Sequence, residues 1–429
     1  MLDINFEEKI SVYYKVSESD FNINSFISNC DKIGKEASRK LFANILLKAQ
    51  DAILTRSLGA PWNPSMQEST PWACPRCSAA AGFKRRGSRP RTLKTSIGQV
   101  CFALLQVTCS ECGKTFSPFP ELLGFGSRRR LSRELDQKLC NLVKDAFYNK
   151  TARLANEAFG LNLSPHTVHR TVQNYGEKAE IVEDLSHISH LQIDSTKINA
   201  TDKERGIDVH IALKIGHSEK RNGRVYRHKT LAVVQVSETP SKVKKLLKES
   251  HVDQMTVDGK TGMEKFVQDH HLPTTIQRCL WHIPRTTAHM IYLDGLTTVK
   301  GKELAKPLSS FLFNEKLTVK ARLEKYDQFI ASCEKAELDK TANFLKNARA
   351  NLFTYKQFAD DDIHGRTNSV IERQMREINR RMENGSRWST KGAQNLLALK
   401  LIQEMNPNSY DHLWNLPKNN KITFQVILC

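Results

Sequence analysis

The sequence lacks any long apolar run. No segment approaches the ~18 apolar residues that a membrane-spanning helix requires. Its first stretch, MLDINFEEKISVYY, also lacks the basic end and the apolar core of a signal peptide. Both absences argue against the membrane-anchored and secreted classes of protein. We therefore expect the chain to act in the cytoplasm, with no membrane partner.

Acidic residues are too few to balance the basic ones. The 429 residues include 65 Lys and Arg against 46 Asp and Glu, which gives a formal net charge of +19. The hydrophobic share of 39% is ordinary for a globular protein, and the length suits roughly two to four domains. Such a basic surplus predicts a polyanionic partner, above all nucleic acid. A generally basic soluble protein is the alternative.

Four of the ten cysteines fall in two C-x-x-C pairs. CPRC supplies Cys74 and Cys77, and CSEC supplies Cys109 and Cys112. In a reducing compartment, clustered cysteines favour a metal over disulfides. Four thiolates complete a tetrahedral site with no open position, so we predict one structural Zn²⁺ in a zinc ribbon, with a reduced cysteine cluster as the alternative. Cys101 lies in an apolar run and is expected in the core.

Two basic runs lie within and just after this module. They are KRRGSRPRTLK, residues 84–94, and RRRLSR, residues 128–133. A charge run is usually a solvated surface, but two runs around candidate DNA-binding modules favour phosphate contacts. We expect such contacts from five arginines, namely Arg85, Arg86, Arg128, Arg129 and Arg130.

Residues 131–175 carry the pattern of three short helices. The last, SPHTVHRTVQNYG, starts with Ser164, a natural N-cap, and Pro165, which suits the first helical position. Val168 and Val172 would face the core. This arrangement predicts a helix-turn-helix whose second helix enters the major groove, with an ordinary three-helix unit as the alternative. The outward face would then present His166, Thr167, His169 and Arg170.

Two aspartates follow alternating apolar runs that are typical of strands. Asp194 closes HLQI, and Asp258 closes QMTV and precedes Gly259. In an open α/β sheet, ligands bind beyond the carboxyl ends of the strands. Carboxylates there can hold two Mg²⁺ (or Mn²⁺) ions about 3.5–4 Å apart. We therefore predict that Asp194 and Asp258 are catalytic metal ligands, with simple turn residues as the alternative.

A helix is expected to supply the third carboxylate. In RTNSVIERQMREINRRMENG, residues 366–385, apolar residues recur every three or four positions, which predicts one buried face. Glu372 lies beside that face on a helix rich in arginine. We predict Glu372 as the third magnesium ligand. The alternatives are a surface ion pair of Glu372 with Arg376, and the rival acidic loop ADDD at residues 360–362.

The order of these motifs resembles a known family. Asp194, Asp258, a C-x-x-H pair, a helical stretch and an N-S-x-I-E-R helix follow one another over residues 190–400. This order is similar to that in the DDE transposases of bacterial insertion sequences, most of all the Mutator-like group. The resemblance implies a ribonuclease H-like core with a helical insertion. It also implies Mg²⁺-dependent cleavage of element ends by water, followed by attack of the 3′-hydroxyl on target DNA.

The C-x-x-H pair is Cys279 and His282, in TIQRCLWHIPR. The resemblance implies that the pair orders the active site; DNA contact through Trp281 or His282 and metal binding are the alternatives. Trp281 could stack on an unpaired base. Further DNA contacts are expected on the arginine-rich helix and in the loop NGSRWSTKGAQNLL, from Arg376, Arg387 and Trp388.

Together these features predict an α/β fold, with a ribonuclease H-like mixed-sheet catalytic core and an all-α insertion, preceded by a zinc ribbon and a helix-turn-helix. We expect a transposase that acts as a homo-oligomer on the double-stranded DNA of terminal repeats and target, associated with the nucleoid. The alternatives are a non-catalytic zinc-containing regulator derived from a transposase, and a nuclease without joining activity. The predicted segments are a helical region at 1–65, the ribbon at 66–125, the helix-turn-helix at 126–180, the catalytic domain at 185–405 with its insertion at about 290–362, and a tail at 406–429.

Overall fold

The computed structural model describes most of the chain in two compact units, Met1–Val172 and Gln173–Cys429. Arg128 and the acidic loop at 360–362 lie outside the described residues. None of the helices in the described part is long and apolar enough to cross a membrane. The described residues are 22–59, 70–122, 125, 129–222, 224–259, 262–358, 364–382 and 387–414.

The first unit starts with one long helix packed on an antiparallel sheet. Helix α1, Ile23–Leu58, begins where the side chain of Asn22 accepts hydrogen bonds from the first backbone N–H groups. Buried Gln50 joins this helix to the sheet, because its amide donates to Ala103 O and accepts from Leu105 N, each at 3.0 Å. The three strands pair in the order β1 (Phe83–Thr95), β2 (Gly98–Cys109) and β3 (Thr115–Phe116).

Strand β2 shows why Cys101 is not in the core. Val100 and Phe102 are buried, and Cys101 between them is exposed. Successive side chains of a strand point to opposite faces, so the residue between two buried positions faces solvent. The prediction that Cys101 is a core residue is therefore wrong.

After the short helix α2, Phe119–Leu122, three further helices follow, as the sequence predicts. Ser132 caps the first of them, and the middle one ends at Gly160, whose φ of 60° is left-handed. Val168 and Val172 of the last one are buried, as expected, and the Ser164 hydroxyl accepts a hydrogen bond from Thr167 N at 3.2 Å. The helices are α3 (Arg133–Val143), α4 (Tyr148–Phe159) and α5 (Pro165–Gly176).

The second unit contains a five-stranded mixed sheet. Its order is β6-β5-β4-β7-β8. The pairs β4–β5 and β5–β6 are antiparallel, whereas β4–β7 and β7–β8 are parallel. Helix α6, Ser241–Glu249, leads into β7, and helix α7, Met263–Asp269, joins β7 to β8. The strands are β4 (His187–Ile198), β5 (Ile207–Arg221), β6 (Arg224–Val236), β7 (His251–Val257) and β8 (Thr275–Arg278).

The stretch after β8 is helical. It has a hydrophobic core of its own, in which Leu308, Tyr326 and Leu345 are fully buried. The chain then reaches the arginine-rich helix α12, Ser369–Met382, and two further helices, α13 (Thr390–Met405) and α14 (Pro407–Trp414). The helices of the stretch itself are α8 (His282–Leu293), α9 (Thr298–Leu312), α10 (Val319–Lys335) and α11 (Asp339–Arg349).

Candidate active site

The two predicted aspartates lie at the same end of neighbouring parallel strands. Gln192 of β4 pairs with Thr256 of β7, and Asp194 and Asp258 each lie two residues further along the chain. Asp258 directly follows β7, as predicted, whereas Asp194 does not end its strand, because β4 continues to Ile198 in pairing with β5. Both are nearly buried, with 7% and 8% of their surface exposed. The Asp194 carboxylate also accepts a hydrogen bond from Ser195 N at 2.8 Å. The strand register therefore places two carboxylates at the same end of the β4–β7 strand pair.

The backbone turn after Asp258 depends on glycine. Gly259 has a φ of 90°, and a Cβ there would lie 1.2 Å from Nη1 of Arg278. The Arg278 guanidinium is buried, pairs with Glu264, and donates a hydrogen bond to the backbone oxygen of Asp258 at 3.4 Å. Burial raises the pKa of Glu264, although Arg278 opposes this shift. The buried Arg278 guanidinium thus fixes the backbone turn that follows Asp258.

We expect Gly259→Ala to destabilise the protein by more than about 3 kcal/mol, because the added methyl group displaces a buried ion pair and the left-handed φ strains the backbone. Gly262→Ala is the matched control, since Gly262 also has a positive φ of 65° but no described atom lies within 4 Å of its Cβ position. The control should cost only about 1 kcal/mol. Denaturant unfolding measures both, and equal losses would contradict the role assigned to Arg278.

Glu372 lies in the first turn of α12, as predicted. Its Oε1 is 3.7 Å from Nε2 of His282. The same oxygen is buried and accepts no hydrogen bond from any residue in the described part of the chain. A buried carboxylate oxygen without a donor is costly, and a bound cation would remove that cost.

Strand β4 itself positions the start of α12. The Gln192 amide donates to Thr367 O at 3.0 Å and accepts from Ile371 N at 3.3 Å. The Asn368 amide donates to Ile193 O at 3.0 Å. Two residues directly before Asp194 in the chain therefore fix the turn that carries Glu372. Residues 175 or more positions apart in the sequence are joined in this way.

Cys279 joins the same elements. Its Sγ accepts a hydrogen bond from Asn368 N at 3.2 Å, and its backbone N–H donates to Val257 O at 2.9 Å. Burial raises the pKa of the Cys279 thiol to about 12. Cys279 thus connects the end of β7 to the start of α12. The ligand atoms of Cys279, His282 and Glu372 also lie within 4.8 Å of one another, which is close enough for a shared metal.

The three carboxylates line one pocket of about 680 Å³. The pocket also has cationic walls, formed by Arg285 and Lys302 of the helical stretch and by Arg376 of α12. Carboxylates alone would repel a phosphate, whereas this mixture can hold both cations and a phosphate backbone. Arg285 and Lys302 were not predicted as site residues, because neither belongs to a recognisable local sequence motif.

The sequence contains a signal for the buried polar residues that support the site. Several polar side chains inside apolar strands of the sheet are completely buried. Buried polar groups need hydrogen-bond partners, so such positions indicate a buried network. These residues are His190, Gln192, Gln254, Thr256 and Gln277.

The two tryptophans expected to contact DNA differ in exposure. Trp281 is 57% exposed, beside the Phe313 ring. Trp388 is only 8% exposed; its Nε1 donates to Met382 O at 3.1 Å, and the Arg381 guanidinium lies 5.3 Å from its ring. A tryptophan packed in this way cannot present its ring face to a base. The structure therefore contradicts the predicted DNA contact of Trp388. Arg387 beside it is exposed.

The four predicted zinc ligands lie together in the first unit. Sγ of Cys74 is 3.6 Å from Sγ of Cys112, and the same distance separates Cys77 from Cys109. All four sulfurs lie within 4.8 Å of one another. Four sulfurs bound tetrahedrally about 2.3 Å from one zinc ion would lie about 3.8 Å apart. The cluster could therefore hold Zn²⁺ with little rearrangement.

The two cysteine turns have the same backbone form. Ser78 N donates to Cys74 O, and Gly113 N donates to Cys109 O, each at 2.9 Å. Burial opposes ionisation of Cys74, but backbone hydrogen bonds from Cys77 and Arg76 lower the pKa of Cys74 to about 6. A hydrogen bond with the Ala79 backbone favours ionisation of Cys77, but burial and the neighbouring thiols raise its pKa to about 12. Full ionisation of the cluster therefore needs a cation.

The predicted DNA-binding residues of the first unit fall into two groups. Arg86, Arg130, His166, His169 and Arg170 are exposed, and Thr167 is half-buried. Two other arginines have partners within the protein. Arg85 donates to Asp51 and to Thr55, each at 2.8 Å, and Arg129 pairs with buried Asp136. Both arginine side chains are partly exposed, so their DNA contacts stay a prediction.

Comparison with protein families decides the identity. The sequence model described as Transposase, Mutator family, matches residues 76–408, more than three quarters of the chain. The chain belongs to the Mutator family of transposases. The predicted resemblance is thereby confirmed, and membership gives this transposase a DNA partner and a role in DNA transposition. Transposases of this family typically use divalent metals. No curated protein matches the chain.

Proposed function

We propose that the chain is a DDE transposase, which cleaves the ends of an insertion sequence and joins them to target DNA. One observation carries this proposal: the strand register and the hydrogen bonds of Gln192 bring Asp194, Asp258 and Glu372 to a single pocket. The sheet order β6-β5-β4-β7-β8, antiparallel on one side and parallel on the other, supports a ribonuclease H-like core. The helical stretch between β8 and α12 is then its insertion.

Asp194, Asp258 and Glu372 would hold two Mg²⁺ (or Mn²⁺) ions. The donor set fits these ions, because Mg²⁺ prefers carboxylate oxygens and Glu372 Oε1 has no donor among the described residues. When bound, the ions would activate the attacking oxygen and stabilise the leaving one during in-line displacement at phosphate.

The chain's own residues would bind the DNA and position the carboxylates. Arg285, Lys302 and Arg376 would bind the phosphate backbone along the pocket wall. Gln192 and Cys279 hold the start of α12, and so fix the carboxylate of Glu372 relative to those of the two strands. His282 lies beside Glu372 and would limit its rotation. Trp281, which is exposed, would stack on an unpaired base near the cleavage point.

Specific recognition of the element ends would come from the first unit. A zinc ribbon built on the four cysteines would support a helix-turn-helix of α4 and α5, with α5 in the major groove. Arg86 and Arg130 would contact phosphates and make binding sensitive to salt. Joining two ends to one target requires more than one active site, so we propose that the chain acts as a homo-oligomer on DNA.

We expect Arg170→Ala to weaken binding to the element's own ends more than binding to random DNA. Arg170 is exposed on α5, where it would read base edges, and one lost base contact costs about 1–3 kcal/mol. Arg86→Ala is the comparison, because a phosphate contact is lost equally on both DNAs and the salt dependence becomes shallower. Fluorescence anisotropy over a salt series measures both. Equal losses on the two DNAs for Arg170→Ala would reject α5 as the recognition helix.

Product analysis tests the function itself. Purified chain, short duplexes carrying the element ends, a supercoiled target plasmid and Mg²⁺ should give end cleavage and plasmid-joined duplexes. Nicked or cut duplexes without joined products would indicate a nuclease. End-specific binding without cleavage in Mg²⁺ or Mn²⁺ would indicate a regulator derived from a transposase. Sequencing of the joints distinguishes true joining from random breakage.

A further inference from the structure

We propose that His187, His251 and Asp253 form a separate site for a divalent transition metal such as Zn²⁺, Ni²⁺ or Co²⁺. The three residues lie at the starts of β4 and β7, whereas Asp194 lies in the second half of β4 and Asp258 directly after β7. The site is therefore at the opposite end of this strand pair from Asp194 and Asp258. It does not depend on the proposed function.

The parallel pairing of the two strands builds the cluster. His187 and His251 are directly paired in the register, and their rings stack 5.5 Å apart with 16° between the planes. Asp253 follows His251 by two positions and so lies on the same face of β7. Its Oδ2 is 3.1 Å from Nε2 of His187, and its Oδ1 is 3.1 Å from Nε2 of His251. One carboxylate thus lies between two imidazoles.

These distances match those between ligands of one metal ion. Two donor atoms bound about 2.1 Å from a metal lie about 3.0 Å apart at a right angle and about 3.4 Å apart in a tetrahedron. Oδ1 of Asp253 lies 3.3 Å from Nε2 of His187 and 3.1 Å from Nε2 of His251, both between these values, and one ligand atom from each residue lies within 4.8 Å of the others. Two imidazoles and one carboxylate suit late transition metals better than Mg²⁺ or Ca²⁺, which prefer oxygen ligands only.

The backbone under the cluster is held in place before any metal binds. Lys214 donates to His187 O at 3.0 Å, and His251 N donates to Ser186 O at 2.8 Å. Both imidazoles are more than half exposed, with 58% and 59% of their side-chain surface accessible. Solvent can therefore reach a bound ion and complete its coordination. A bound ion would also clamp the two strands that carry Asp194 and Asp258.

Titration of the full-length, zinc-loaded chain with Ni²⁺ by calorimetry tests the site. The wild type should bind Ni²⁺ outside the cysteine cluster, and His187→Gln and His251→Gln should each weaken this binding at least about tenfold. His228→Gln is the matched control, since His228 also pairs with one carboxylate, Glu219 at 2.7 Å, but belongs to no such three-residue cluster among the residues that the structure describes. It should bind Ni²⁺ as the wild type does.

X-ray absorption at the nickel edge identifies the ligands. The expected signal has nitrogen and oxygen neighbours with imidazole scattering, and it loses the imidazole scattering in the double variant His187→Gln/His251→Gln. Nickel–sulfur scattering would show exchange into the cysteine cluster and overturn the proposal. Unchanged Ni²⁺ affinity in both single variants would also overturn it, and would leave the cluster as an ordinary ion pair of Asp253 with protonated histidines.

Discussion

Replacement of Asp194 by Asn is expected to reduce end cleavage and joining by at least about 10³-fold, because the volume is kept while the charged metal ligand is lost. Asp258→Asn and Glu372→Gln should cause losses of similar size. The three carboxylates line one pocket, and residues that act as a unit give non-additive losses. A double variant should therefore be no worse than the poorest single one. Rates of cleavage and joining on labelled duplexes provide the measurement.

DNA binding separates this loss from misfolding. Each of the three variants should bind element ends as tightly as the wild type or tighter, since a negative charge near phosphate is removed. Matched controls are Glu377→Gln, on the same helix as Glu372, and Asp208→Asn, on β5 beside β4. Glu377 pairs with Arg380 and Asp208 with Lys197 on the surface, so both variants should keep wild-type activity. Loss of activity in Asp208→Asn would show that substitutions in the sheet inactivate the protein by damaging its fold and not by removing a metal ligand.

The rival acidic loop needs its own comparison. Asp361 lies outside the described residues, and our assignment predicts that Asp361→Asn stays active. Strong cleavage by Glu372→Gln together with an inactive Asp361→Asn would move the third ligand to that loop.

Loss of one cysteine of the cluster should have the second large effect. We expect the purified chain to carry about one tightly bound zinc per monomer, and Cys74→Ser to carry almost none. Zinc binding contributes about 10–16 kcal/mol in small structural sites, so its loss should unfold the segment around the cysteines and abolish binding to element ends. Elemental analysis after dialysis against a weak chelator measures the zinc, and limited proteolysis measures the unfolding.

Cys101→Ser is the control for this prediction. Cys101 lies in β2, the strand that ends at Cys109, but is exposed and is not one of the four clustered cysteines. The control should keep its zinc, its resistance to proteolysis and its DNA binding. A wild-type chain that is isolated under reducing conditions without metal, and that takes up none on titration, would contradict the zinc proposal.

Much of the local structure could be predicted from sequence patterns. Ser164 caps α5, Val168 and Val172 are buried, and the apolar spacing of α12 places Glu372 beside a buried face. Caps and helical periodicity depend on residues a few positions apart, so the sequence contains them directly.

Exposure of single side chains was less predictable. Arg85 looked like one member of a basic run, but Asp51, more than thirty positions earlier, is its partner. Trp388 looked like part of an exposed basic loop, but it packs under Arg381 and against the end of α12. In both cases the deciding contact comes from another element of the fold, and no local pattern identifies it.

By itself, the sequence determined the residue types of the carboxylate site and of the cysteine cluster, the order of the helices and strands that carry them, and a basic surplus suited to DNA. Only the tertiary structure decided that β4 and β7 are parallel neighbours in the register that brings Asp194 beside Asp258, and that Gln192 holds the turn before Glu372. The same register built the cluster of His187, His251 and Asp253, which no sequence motif indicated. Strand pairing joins segments tens of residues apart through backbone hydrogen bonds, which are the same for every residue type. The sequence therefore indicates that a strand forms, whereas the packing of the whole unit selects its partner and register.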